Sequence, residues 1–374
     1  MRYRIAFGLW LRVSAEGSSC EVVSPLMASN PPLSDLLRPL LAYRRVAGQR
    51  NSLIQYSPLR QGSDIRLFVL HPGSGKDIIS GDVEQDKLRW KSERPFEALS
   101  YVWGDANDTK TIKIGGVDVS VTQSLEAALR HLRYHDRPRT LWVDYICIDQ
   151  NNISERNQQV ANMGLVYEFS KRVLVWLGEA TPDTKIGMDI IQYFATANRP
   201  NSDPIWQHHP KDAVHAGLAD VLGRPWFQRM WVVQEIGRSK SALLICGDHE
   251  VAWRSSNSIK VRTFSRMIKY AELLPQWSQL DLNTIDMQPL LEILDIQIGN
   301  QLDRAHGASH RPASDLLDIA YTMRYKQCKD SRDKLYGIYT VPPHMEVYDA
   351  WEFPVDYNKT PEEVFEVLRN IAFP

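Results

Sequence analysis

The chain has 374 residues, long enough for one large domain or two ordinary ones with a substantial core. Hydrophobic residues make up 43% and charged residues 24%, the composition of a soluble globular protein. Lys and Arg number 44 against 45 Asp and Glu, which excludes a general electrostatic case for binding nucleic acid or an anionic membrane.

Four cysteines, Cys20, Cys147, Cys246 and Cys328, lie far apart in sequence. No CxxC, Cys/His cluster or HExxH provides metal-ligand spacing, so no metal is expected. Free thiols in a reducing, cytoplasmic compartment are the simplest reading. Cys147 is either a reactive thiol or inert strand-end packing. At the N-terminus, Arg2 and Arg4 precede the apolar run Ile5 to Leu11, a weak imitation of a signal peptide that Arg12 cuts short. The chain is therefore expected to be non-secretory, and no segment reaches the roughly 20 apolar residues of a membrane span.

In chain order, residues 1–55 carry Ser, Pro and Gly with little periodicity and read as a loosely ordered leader. Ile65 to Leu70 is the first expected strand, ended by His71-Pro72-Gly73. Gly73-Ser74-Gly75-Lys76 resembles a phosphate loop only superficially. Leu70 stands where the first Gly belongs, and Asp77 stands where a magnesium-binding Ser or Thr belongs, so a turn is expected. Phe96 to Gly104 reads as a second strand. Ser100, Trp103 and Gly104 fall near its end, where a hydroxyl, an aromatic face and a close backbone approach serve a ligand together, or where a bulky Trp simply packs.

Thr111 to Ile114 and Val117 to Val119, joined by Gly115-Gly116, predict a hairpin. Leu125, Leu129 and Leu132 give a helix from Thr122 to Arg133 with Thr122 as N-cap. Leu141 to Gln150 opens as a buried strand that Asp144 interrupts and Asp149-Gln150 closes. A carboxylate there implies a specific hydrogen-bond network, a ligand, a loop cap or an Arg partner. Asn152 to Glu155 resembles a capping box before a second helix through Val160, Met163 and Tyr167. Arg172 to Leu177 is a further strand, Thr181-Pro182 starts a third helix, and residues 198–212 read as a loop. Pro225 near the start of a helix would put Phe227, Trp231 and Gln234 or Glu235 on one face.

Ser241 to Cys246 is another strand, and Gly247-Asp248 turns the chain toward Val251 and Trp253. Helices follow at Ser255 to Leu274, Pro289 to Ile298, Ser314 to Tyr325, from Asp330 and over Pro361 to Ile371. Strand and helix alternate, so the expected fold is a parallel-sheet α/β domain over residues 56–253 with helices on both faces, then a mainly helical part over 254–374.

Three blocks resemble the fungal heterokaryon-incompatibility (HET) domain family. They are Glu97 to Gly104; Leu141 to Gln150 with Gln159-Val160 and Val175 to Gly178; and Arg224-Pro225-Trp226 through Gln234-Glu235. Tyr56 to Leu59, Ser331 to Gly337 and Asp356-Tyr357 also look familial, although Ser331 stands where these proteins commonly have Pro and Asn157 where Ser is usual. The resemblance implies a fungal, cytoplasmic protein of non-self recognition that triggers programmed cell death. It would act through protein partners and self-association, with no nucleic acid, membrane or cofactor.

The resemblance also implies a fold distantly similar to TIR domains. Trp231 to Ile236 is similar to the Trp-Cys-x-x-Glu-Leu segment of NAD-cleaving TIR domains, with Val232 for Cys and Ile236 for Leu. On that likeness Glu235 would be catalytic and NAD the substrate, the carboxylate stabilising oxocarbenium character as nicotinamide leaves. Ser100, Trp103, Gly104, Asp144, Gln150 and Trp231 are the accompanying ligand-binding candidates. The competing readings of Glu235 are a surface carboxylate or one paired with Arg229 or Arg238.

Overall fold

The computed structural model describes residues 2–5, 9–13, 20–23, 54–60, 62–90, 93–196, 205–254, 285–286, 288–290, 292–293, 316, 319–341 and 354–372. The expected helix over 255–274 and most of that over 289–298 lie outside these residues, whereas that over 314–325 is described at 316 and 319–325. The chain divides into two compact units. One comprises Ala47–Phe227 and Arg238–Leu290; the other comprises Met1–Val46, Gln228–Gly237 and Leu291–Pro374.

The second unit opens with a three-stranded antiparallel sheet, β1 (Arg2–Ile5), β2 (Leu9–Val13) and β3 (Cys20–Val23), where the sequence predicts little regular structure.

The first unit is built on a nine-stranded sheet. Its strands are β4 (Asp64–Leu70), β5 (Ser80–Lys87), β6 (Glu97–Tyr101), β7 (Thr109–Ile114), β8 (Val117–Thr122), β9 (Arg139–Trp142), β10 (Val173–Trp176), β11 (Ala242–Cys246) and β12 (His249–Arg254). They lie in the order β12-β11-β10-β6-β9-β4-β5-β7-β8. β11, β10, β6 and β9 run parallel to one another, as expected, and β7 and β8 form the expected hairpin, but β12 and β4 also meet neighbours antiparallel, so the expected parallel sheet is corrected to a mixed one. The connections give the reason. β7 to β8 and β11 to β12 are joined by two-residue turns, too short for the crossover that a parallel pair needs.

The parallel strands are short, apolar and buried on both sides, as Val173, Leu174, Val175 and Trp176 illustrate. Helices link them. α1 (Gln123–Leu132) is capped by Thr122, whose side chain accepts from the Leu125 amide, and it buries Leu125, Ala128, Leu129 and Leu132. The strand from Leu141 ends at Trp142. A single helical turn, α2 (Asp144–Cys147), follows at once, so Asp144 interrupts the strand as expected, and does so by opening a helical turn. α3 (Ile153–Phe169) is capped by Asn152, and α4 (Thr184–Thr196) precedes α5 (Lys211–Leu222), whose start was expected to be loop. The anticipated helix from Pro225 is broken: a 3-10 turn over Pro225–Gln228 stops before α6 (Val232–Gly237). Met230 between them instead donates its amide to the Gln327 carbonyl at 2.8 Å, which breaks the helical ladder.

Gly73 to Asp77 is a turn, with the Asp77 carboxylate accepting the Ser74 amide at 2.9 Å. The second unit continues with α7 (Asp333–Tyr336) and α8 (Pro361–Ala372). Among the described residues no helix is long and apolar enough to cross a membrane.

Candidate functional site

From β6 the chain goes to β7, on the β9 side of the sheet, and from β10 it goes to β11 on the other side, so β6 and β10 flank a topological switch point. Ligands of open α/β sheets gather beyond the carboxyl ends of such strands. Trp103 lies two residues past the end of β6, and Asp144 lies two residues past the end of its parallel neighbour β9. The two meet: Trp103 Nε1 donates to Asp144 Oδ2 at 2.8 Å.

The other carboxylate oxygen, Oδ1, accepts the Tyr145 amide at 2.7 Å, and the Tyr145 ring stands edge-on to Trp103 with centroids 5.8 Å apart. Gln150 closes the loop by donating Nε2 to the Asp144 carbonyl at 3.2 Å. Gly104 has φ +75°, and a Cβ there would meet only Ser124 Cβ at an ordinary 3.4 Å. Backbone conformation rather than space therefore calls for glycine.

Ser100 is placed differently. It is fully buried in β6 beside Val175 of β10, and its hydroxyl accepts Trp226 Nε1 at 2.8 Å. Trp226, also fully buried, packs edge-on against Phe227 and Trp253. The serine thereby satisfies an indole N–H that would otherwise be costly to bury.

The α2 loop is gripped from behind. Arg66 of β4 forms a two-pronged pair with Glu155, at 2.5 Å to Oε1 and 2.9 Å to Oε2, and donates to the Cys147 carbonyl at 3.2 Å. Glu155 Oε1 accepts the Asp149 amide at 2.8 Å, and Tyr56 donates its hydroxyl to the Ile146 carbonyl at 3.0 Å. The loop that carries Asp144 and Gln150 is thus fixed to β4, to α3 and to the Tyr56 segment. Cys147 is inert packing: burial pushes its thiol up to about 12, and its sulfur accepts the Val143 amide.

At the opposite edge of the sheet Glu97 takes Arg139 at 2.6 Å and Arg172 at 2.5 Å. Burial pushes its carboxyl up, and hydrogen bonds and charge from the two arginines outweigh that and leave it lowered.

Trp231 and Glu235 belong to the second unit. Glu235 is almost fully buried and lies 3.7 Å from the Arg229 guanidinium, as one of its competing readings anticipated. Gln234 beside it accepts the Thr340 hydroxyl at 3.0 Å. Trp231 is half-buried and donates Nε1 to Asp333 Oδ2 at 3.3 Å. Tyr357 donates its hydroxyl to Asp333 Oδ1 at 2.7 Å.

The structure therefore brings Trp103, Asp144 and Gln150 together, with Gly104 at the adjoining turn. Both Asp144 oxygens accept hydrogen bonds, which fixes the Trp103 indole and the Tyr145 amide to this carboxylate. Tyr145, Trp226, the Arg66–Glu155 pair and Asp333 were not singled out as site residues. Their partners lie 81 to 126 positions apart in the Arg66–Cys147, Trp226–Ser100 and Trp231–Asp333 bonds, and no local pattern marks such pairs.

Residues 96–235 match the family described as Heterokaryon incompatibility protein (HET). Heterokaryon incompatibility protein 6, OR allele, of Neurospora crassa is 29% identical over 230 residues, which cover 49% of this chain and 33% of that protein. The chain thus spans about a third of the length of the curated relative it matches. No solved structure matches it.

Proposed function

We propose that this chain acts in fungal heterokaryon incompatibility, with its HET-matching region as a cytoplasmic signalling module. On meeting an incompatible partner, it sets off programmed cell death through protein contacts and self-association. The observation that carries this reading is the interlocking of the three matched blocks. Trp103 of the first bonds Asp144 of the second; Ser100 of the first bonds Trp226 of the third; and Arg224 of the third donates to the Glu179 carbonyl just past the second, at 2.9 Å. The name of the Neurospora crassa relative supports the same role.

The alternative is a TIR-like NAD glycohydrolase that releases nicotinamide with Glu235 as its catalytic carboxylate. The buried pairing of Glu235 with Arg229 weighs toward a structural carboxylate, and so toward the signalling module.

Inducible expression of the full chain in a fungal host tests both, with viability and cellular NAD followed in parallel. Wild type is expected to kill with NAD unchanged, and Trp103→Ala to remove killing while the protein still accumulates. Folded wild type that accumulates without loss of viability overturns the incompatibility reading. Killing and NAD loss that vanish together in folded Glu235→Gln replace the module with the enzyme.

A further inference from the structure

We propose that Asp333 is a proton-operated latch: its carboxyl ties the Trp231 and Tyr357 segments to α7 while it is neutral, and the cost of holding its charge inside the protein loosens them when it ionises. Asp333 opens α7 and is 8% exposed. Its two oxygens reach chain segments far apart in sequence, Oδ2 taking the Trp231 indole at 3.3 Å and Oδ1 the Tyr357 hydroxyl at 2.7 Å. Both donors are neutral.

The cations beside it in sequence are engaged elsewhere. Arg332 directs its guanidinium to Asp330 and to the carbonyls of Tyr357 and Lys359 at 2.6 and 2.7 Å. Lys334 turns its ammonium to the carbonyls of Arg324 and Lys326. On the Trp231 segment, Arg229 pairs with Glu235. On the Tyr357 segment, the Asp356 backbone engages the Tyr336 hydroxyl through its carbonyl and its amide. Among the described residues Asp333 is thus a buried acid in no ion pair. An ionised carboxyl so placed is costly, and a neutral one is not.

Burial, and then the Asp330 charge, raise the Asp333 carboxyl to about 7, against the opposing bonds from Tyr357 and Trp231 and the Arg332 charge. The sign follows by linkage. Between the ordinary carboxylate range near ~4 and about 7, the closed state holds a proton that the open chain has released. Closing therefore takes up a proton, and the latch weakens as pH rises through that window and levels off above it. An opening that fully exposes Asp333 grows by up to about tenfold per pH unit within the window. Tyr357 is the lever on the midpoint, because its hydroxyl favours the charged form.

The test is amide hydrogen exchange on the full chain from pH 5 to 8.5, corrected for intrinsic rates. The readouts are the Met230 amide, which bonds the Gln327 carbonyl, and the Gly337 amide, which bonds the Asp333 carbonyl. Wild-type protection is expected to fall as pH rises to about 7 and then level. Asp333→Asn keeps both contacts, through its amide oxygen and a reversed Tyr357 hydroxyl, and is expected to give a flat profile. Tyr357→Phe is expected to carry the fall to higher pH, which keeps the proposal testable if Asp333→Asn does not fold. A wild-type profile that is flat, or one that Asp333→Asn reproduces, overturns the latch. So does a Tyr357→Phe midpoint equal to that of wild type.

Discussion

Trp103 and Asp144 each stand two residues past the end of one of two neighbouring parallel strands, and a 2.8 Å hydrogen bond joins them. The bond holds an indole upright at the carboxyl edge of the sheet, with Tyr145 against its side. Asp144→Ala would leave the Trp103 N–H and the Tyr145 amide without their acceptor. A loss of about 1–3 kcal/mol in denaturant unfolding is expected. Trp103 fluorescence should become more heterogeneous, read against a Trp103→Phe control. Asp144→Asn retains one acceptor oxygen and should lose less.

The buried Ser100 hydroxyl has a structural partner in Trp226. Ser100→Ala orphans a fully buried indole N–H and should cost about 1–3 kcal/mol. Adding Trp226→Phe removes the orphan, so the double variant should lose less than the two single losses combined. Strict additivity in a double-mutant cycle would show that the bond carries no coupling.

Glu155 binds Arg66 with both oxygens inside the protein. Glu155→Gln strands a buried guanidinium, and a cost of about 3–5 kcal/mol is expected. Replacing both members by apolar residues, Arg66→Met with Glu155→Leu, should recover much of that stability. The double variant should still expose the Asp144 loop to proteolysis, because the Cys147 carbonyl and the Asp149 amide lose their anchors. Protection of that loop equal to wild type would place its anchoring elsewhere.

Glu97 gives the sheet unit an acid-sensitive arm. Its carboxyl is lowered in the folded state by Arg139 and Arg172, so the stability it contributes is present above the unfolded value near ~4.3 and is lost as pH falls through the folded value. Thermal unfolding of wild type should therefore drop steeply below about pH 4.3, whereas Glu97→Gln should start lower and lack that drop. The slope has the opposite sign to that of Asp333, whose contribution fades as pH rises toward about 7.

Periodicity and capping chemistry alone determined where most elements of the sheet unit lie. The Leu125, Leu129 and Leu132 stripe, the Thr122 and Asn152 caps and the Gly115-Gly116 hairpin all form as read, because each is set by neighbours within a few residues. Strand direction was not legible. A buried apolar run such as Ile65 to Leu70 has the same pattern in a parallel or antiparallel ladder, and only its pairing with β5 and β9 makes it antiparallel. The break after Gln228 was hidden for a similar reason: the helical spacing of Phe227 and Trp231 is real, but the Met230 and Gln327 backbones compete for the hydrogen bonds that would continue it.

Site residues divide in the same way. That Asp144 interrupts an apolar strand end is written in the sequence, and so is its need for partners. Trp103, 41 positions away, becomes one of them only because β6 and β9 lie side by side. Asp333 lies among charged neighbours in sequence, yet it ends up buried, and among the described residues its carboxyl accepts from Trp231 and Tyr357 alone. A residue's chemistry is local, but its dielectric surroundings and its hydrogen-bond donors come from segments that folding alone brings near, so tertiary structure decided which carboxylates are paired with cations and which are buried against neutral donors.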